Sequence, residues 1–241
     1  MNLQLEKWTE NDYNSFLEYL KSKADFDYKK FHSSLVPDAD KDAILGVRMP
    51  VMREIGRQIA KGNARDFLRV SQNGCYEERM LRGIVTGLIK TSEFYDFVTL
   101  VNNFVCIIDN WAICDCFCTG IKQVKKYKQR FFYYIQRYID SDNVWIKRAG
   151  LVIMLDYYLE DEYIECVLER CDSIKSDFYY VRMAQAWLVA TALAKCYDQT
   201  MAYIHNNSLD DFTFNKAVQK CVESRRIDDR TKQYLKSLKR Y

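Results

Sequence analysis

The feature that most constrains this chain is a recurrence of helix starts about 34 residues apart in a sequence with few chain breakers. Asp109 to Asp142 is 33 residues, Asp142 to Asp177 is 35, and Asp177 to Asp211 is 34. Counting 34 back from Asp109 lands on Cys75, where Tyr76-Glu77-Glu78-Arg79-Met80-Leu81 opens another helical run. Second helices are expected between these starts, over Ser92–Ile107, Val124–Ile139 and Glu162–Ile174. A helix pair repeated at this period buries its apolar face only by stacking on its neighbours. Just 2 prolines and 8 glycines punctuate the 241 residues, too few for the turns of a β-sandwich or barrel.

The tetratricopeptide signature is absent. The expectation is therefore an all-α solenoid (superhelix) of HEAT-like helical repeats, forming a single domain over residues 1–241 with a concave groove. Val51, Met52, Ile55 and Ile59 fall on one helix face, with Pro50 in the first turn, where its missing N–H costs nothing. Thr9, Asn63, Ser92, Asp109, Asp142, Asp177 and Asp211 are the expected N-caps.

Charge and cysteine usage narrow the function classes. The balance is 36 basic against 33 acidic residues, so a net +3 does not by itself predict a polyanionic partner. Any basic surface must come from segregation. Lys122, Lys125, Lys126, Lys128 and Arg130 cluster, and Arg225, Arg226, Arg230, Lys232, Lys236, Lys239 and Arg240 crowd the C-terminus. Either cluster alone reads equally well as a solvated face. No run approaches a membrane span, and the first residues lack the apolar core of a secretory signal. Nine cysteines are then expected as free thiols in a reducing cytoplasm.

Four side chains stand out for chemistry: Trp111, Asp115, Arg148 and Trp187. Trp111 and Asp115 are four apart and share a helix face. The repeat places Trp111, Arg148 and Trp187 on equivalent helices, which line one wall of a solenoid. A carboxylate between two indoles, with a guanidinium nearby, suits a cationic planar ligand attached to a phosphate backbone. Taken singly, a Trp on a helix is most often a core residue and an Asp one turn from it a solvated one. Trp8 and Trp145 are read as packing residues. His32 and His205 have no nucleophile in the pattern and are read as structural. Cys114, Cys116 and Cys118 invite a metal reading, but only the first and third share a face and the paired spacing of zinc sites is missing. No metal or cofactor is expected.

The order of these segments resembles the AlkD-type DNA alkylation repair family, HEAT-like DNA glycosylases acting on alkylated purines. Tyr28-Lys29-Lys30-Phe31-His32-Ser33-Ser34-Leu35-Val36-Pro37 is similar to that family's N-terminal segment. The run from Gly46-Val47-Arg48-Met49-Pro50 through Ala60-Lys61 is similar to its Gly-Val-Arg-x-Pro pattern. Asn215-Lys216-Ala217-Val218-Gln219-Lys220 with Glu223-Ser224-Arg225-Arg226 resembles the C-terminal end of one branch.

The resemblance implies roles. Asp115 would be the catalytic carboxylate, Trp111 and Trp187 aromatic walls around the lesion nucleotide, and Arg148 a contact to the DNA backbone. Lys147, Arg182, Lys216, Lys220, Arg225 and Arg226, in or after the same helix series, would track phosphates. The implied activity is excision of positively charged N3- and N7-alkylpurines from duplex DNA by a monomer. Such a base already carries positive charge and leaves without a general acid. The protein then has to stabilise an oxocarbenium-like sugar and position water. A carboxylate with an ordinary pKa of about 3.9 can do both at neutral pH.

Two departures from the family pattern stand beside this. Ala112 replaces a carboxylate often found next to the Trp, and Leu188-Val189-Ala190 replaces a Leu-Arg-Glu after Trp187. They keep open a second reading, a non-catalytic solenoid that binds damaged or branched DNA or a protein partner.

Overall fold

The computed structural model describes residues 1–240, and among them there are fourteen α-helices and no strand. The chain divides into two compact units, Met1–Tyr127 and Lys128–Tyr241. The all-α class and the helical repeat are as the period predicts.

The first unit holds α1 (Glu10–Lys21), α2 (Phe26–Leu35), α3 (Met49–Lys61), α4 (Ala64–Val70), α5 (Tyr76–Leu88), α6 (Phe94–Val105) and α7 (Trp111–Gly120), then a 3-10 turn over Lys122–Lys125. Helix α5 packs on both α3 and α7, with α4 and α6 behind it. Close approach of α3 and α5 depends on Gly56, where an added Cβ would lie 2.5 Å from the Ile84 side chain. At the N-terminal end Trp8, Phe16 and Phe67 interlock edge to face, with centroids 5.0 Å (Trp8–Phe67) and 5.4 Å (Phe16–Phe67) apart. Trp8 is 0% exposed, a packing residue as expected.

The second unit holds α8 (Lys128–Ile139), α9 (Val144–Tyr157), α10 (Ile164–Ser173), α11 (Tyr179–Leu193), α12 (Tyr197–His205), α13 (Asp211–Glu223) and α14 (Asp229–Ser237). Here α11 packs between α9 and α13, and α10 and α12 back it. Helices α9 and α11 each bury nine or more residues, because neighbours cover them on nearly every side. Trp145, half-buried, packs its ring 5.2 Å from Phe178 and 5.4 Å from Tyr180.

Several boundaries differ from expectation, and hydrogen bonding supplies the reason. Thr9 and Asn63 cap α1 and α4 as read, and α5 follows Cys75. Before α7, however, Asn110 is the cap: its Oδ1 accepts from the backbone N–H groups of Ala112 and Ile113 at 3.1 and 3.0 Å. Asp109 turns instead to Arg79, 3.3 Å away. Likewise Asn143 caps α9, Asp210 caps α13, Phe178 precedes α11, and Glu93 precedes α6. The helix expected over Val124–Ile139 is split. Backbone N–H groups of Val124, Lys126 and Tyr127 bond three residues back, which ends one turn before α8 begins.

Candidate nucleic-acid interface

The loop before α3 is the first element that positions the site. Gly46 has φ +92°, and an added Cβ there would meet Lys29 and the Asp25 carbonyl at 2.6 and 2.7 Å. The Glu77 carboxylate, 1% exposed on α5, accepts the backbone N–H groups of Leu45, Gly46 and Val47 at 2.9, 2.7 and 3.1 Å. Arg48 then reaches back to Asp25 at 2.9 Å, with its guanidinium over the Tyr28 ring. Gly46-Val47-Arg48 is thus a folding device that sets α3 against α5 and fixes the start of α2.

Helix α7 carries the candidate carboxylate. Ile113, Cys114, Phe117 and Cys118 are buried, and Trp111, Ala112, Asp115, Cys116 and Thr119 form the opposite, partly exposed stripe. Trp111 and Asp115 share that stripe, as their spacing predicts. The indole of Trp111 is oriented by its N–H, which donates to the carbonyl of Leu35 at the end of α2, 3.1 Å away. Thr119 donates its hydroxyl to the Asp115 main-chain carbonyl at 2.8 Å. Cys114 and Cys118 are fully buried small residues, and Cys116 lies beside Asp115 on the exposed stripe.

Cys116 sits between opposite charges. Burial pushes its thiol up from the ordinary range, the positive charge of Arg53 pulls it down, and Asp115 pushes it up again. The thiol therefore stays protonated and un-nucleophilic at neutral pH. Cys116 also lines an open groove of about 390 Å³ along α3, α5 and α7, whose rim carries Arg53, Arg57 and Lys122. The sequence reading did not single out Arg53 or Arg57, although both lie in its Gly46–Lys61 segment. The signal available was position: both are polar on a helix whose opposite face is apolar.

The remaining candidates lie in the second unit. Trp187 is half-exposed on α11 between buried neighbours, so its ring is not part of the core. Arg148 on α9 is only 5% exposed; its Nη1–H donates to the Tyr180 carbonyl and its guanidinium lies 6.0 Å from the Tyr180 ring. Arg182 forms ion pairs with Asp210 at 2.9 Å and Asp177 at 3.5 Å and covers the Phe212 ring. Lys216 is half-buried beside the same ring, Lys147 and Lys220 are half-buried, and Arg225 and Arg226 are exposed. So Trp111, Asp115, Arg53 and Arg57 share the first unit, while Trp187 and the sequence-predicted DNA-contacting cations belong to the second.

No group of three or more metal-ligating side chains occurs among the described residues, and none of their helices is long and apolar enough to cross a membrane. A family model described as DNA alkylation repair enzyme matches residues 14–220. No curated protein matches the chain.

Proposed function

The chain belongs to the DNA alkylation repair enzyme family, and from that premise we propose that it is a monofunctional DNA glycosylase. Its substrates are N3- and N7-alkylpurines in duplex DNA, its reaction is hydrolysis of the N-glycosidic bond, and its product is an abasic site for base excision repair. The observation that carries this reading is the outward stripe of α7, where Asp115 lies one turn from an indole held in a fixed orientation.

Asp115 stabilises positive charge developing on the deoxyribose and orients the attacking water. The cationic purine departs with the electron pair of the broken bond, which neutralises it, so no proton donor is needed on the leaving group. Preorganised electrostatics of this kind contribute about 3–4 kcal/mol. Trp111 and Trp187 present ring faces to the cationic nucleotide, each contributing about 0.5–2 kcal/mol. In this reading both units act on one monomeric protein's DNA, as a single functional domain. The exposed or half-exposed Lys147, Lys216, Lys220, Arg225 and Arg226 contact phosphates. Arg148 and Arg182 act at the same backbone from positions already braced by Tyr180, Asp177 and Asp210.

The test is release of 7-methylguanine from methylated duplex DNA. The wild type releases the base and Asp115→Asn does not, while both bind the duplex. No release by the wild type, or equal release by both, overturns the glycosylase reading and leaves the non-catalytic DNA-binding solenoid.

A further inference from the structure

An open groove of about 710 Å³ runs between α10 and α12 in the second unit. These two helices back α11, whereas Lys147, Arg182, Lys216 and Lys220 lie on α9, α11 and α13. Helical spacing sorts the lining into rows. On α10, Glu165 and Glu169 are one turn apart and exposed, and Leu168 beside them is buried. On α12, Asp198 and Ala202 make the exposed row, and Tyr203 next to Ala202 is half-buried. The Tyr203 hydroxyl crosses the floor and donates to Asp172 at 2.9 Å. Asp172 also accepts the Ser208 N–H at 2.9 Å, so its charge is used within the fold. Glu165, Glu169 and Asp198 differ from it. None of the three is in an ion pair among the described residues, and no Lys or Arg lines the groove. The floor of Leu168, Ala202 and the Tyr203 ring is thus edged by carboxylates on both sides.

We propose that this groove docks a basic amphipathic helix of a partner protein, its apolar stripe on the floor and its Lys or Arg side chains on Glu165, Glu169 and Asp198. Charge complementarity selects the occupant. Carboxylates repel a phosphate backbone, so this face is not a second DNA surface. The three charges are spread along two helices, and no group of three metal-ligating side chains occurs among the described residues, so a single metal ion does not match them. A thin polyamine would meet the charges but leave the apolar floor and most of the volume unfilled. A helix satisfies both parts: its apolar stripe covers the floor, and its long cationic side chains reach outward to either edge. The ten residues of α10 give the groove about 15 Å of length, close to three turns of such a helix. Exposed ion pairs each contribute little, so the floor supplies the grip and the carboxylates set direction and register. The proposal stands apart from the reaction at Asp115.

The test is fluorescence anisotropy with a fluorescein-labelled amphipathic helical peptide of lysine and leucine, about three turns long, and a control peptide with serine in place of leucine. The full-length wild type should bind the leucine peptide, more weakly as salt rises, and the serine peptide at least tenfold more weakly. Combining Glu165→Gln, Glu169→Gln and Asp198→Asn should weaken binding of the leucine peptide roughly tenfold near ~0.1 M salt. Ala202→Arg fills the floor and brings its own cation, so it should weaken binding at least as much. All four positions are exposed, and an unchanged thermal melt separates lost docking from lost fold. Absence of binding by the wild type, or equal binding by wild type and variants, overturns the proposal. Equal affinity for the two peptides overturns the role of the floor and with it the helix. Displacement of the peptide by spermidine at matched concentration and fixed ionic strength would make the site a polyamine site instead. Self-association of the wild type in sedimentation, abolished by Ala202→Arg, would make the occupant a second copy of the chain and overturn the partner helix.

Discussion

The rim of α3 and the α8–α13 stack spend their arginines differently. In the first, Arg53 and Arg57 stand exposed on the rim of a groove, with one carboxylate between them as a partner. In the second, arginines are stitched into the repeat: Arg148 to the Tyr180 carbonyl, Arg182 to Asp177 and Asp210, and Arg170 to Asp140. Tyr180, Asp210 and Asp140 lie 32, 28 and 30 residues from their arginines, roughly one repeat length. A cation bridging successive repeats is part of the nearest-neighbour interface that holds a helical array together. A cation with no such partner is available to a ligand. Counting basic residues along a sequence cannot separate the two kinds.

The largest effect that would break this comparison is catalytic. Asp115→Asn should lower the single-turnover rate of 7-methylguanine release by about 10²-fold or more, with little change in melting temperature. A loss of stability instead would make Asp115 a structural residue like the carboxylates of the second unit. Next in size is Glu77→Ala, which strands three N–H groups, two of them buried, and should cost roughly 3 kcal/mol or more in denaturant unfolding. A cost under about 1 kcal/mol would mean that the Gly46 loop stands without its anchor.

A smaller contrast sharpens the comparison directly. Arg182→Ala should destabilise by about 1–2 kcal/mol, whereas Arg53→Ala should stay within about 0.5 kcal/mol, both read by chemical unfolding. Equal costs would erase the distinction between stitching and available cations.

The smallest effect is pH-dependent. Burial lowers the pKa of His32 from its ordinary 6.5, and its Nε2 has no partner. The unfolded chain therefore takes up a proton before the folded one does. Stability contributed by neutral His32 is intact above about pH 6.5 and falls as the pH drops toward the lowered folded value. The second unit behaves differently. Asp210 is raised by burial but more strongly lowered by Thr213 and Arg182, so its contribution is lost only below the usual carboxylate pKa of 3.8. Hydrogen exchange at pH 7 and pH 5.5 should show the first unit loosening and the second unmoved, and His32→Phe should remove the difference.

The period and the scarcity of breakers made the fold class legible, since both act through local rules that a sequence displays. The start after Cys75 and the shared face of Trp111 and Asp115 follow from the same rules. Cap positions were off by a residue because Asp109 and Asn110, or Asp210 and Asp211, are neighbours with similar capping power. Geometry chooses between them, and Arg79 takes Asp109 away. Glu77 was invisible because its partners are backbone groups 30 to 32 residues upstream. The bracing of Arg148 was invisible because nothing in its own helix shows that the Tyr180 carbonyl accepts from it. Arg53 was hidden for the converse reason: what marks it is that no carboxylate among the described residues lies within ion-pair distance.

The bond between Trp111 and Leu35 has a dynamic consequence. Helix α2 buries only Ser33, and its Phe26, Phe31 and Leu35 are exposed, so it is the one α-helix among the described residues that fully buries no apolar side chain. Such a segment opens at far lower free energy than the helices behind it. The indole beside Asp115 therefore has its orientation set by the most easily melted part of its own unit. A transient fraying of α2 releases the ring while α3, α5 and α7 stay folded, which makes the breathing of a peripheral helix the clock on which the Trp111 face of α7 rearranges.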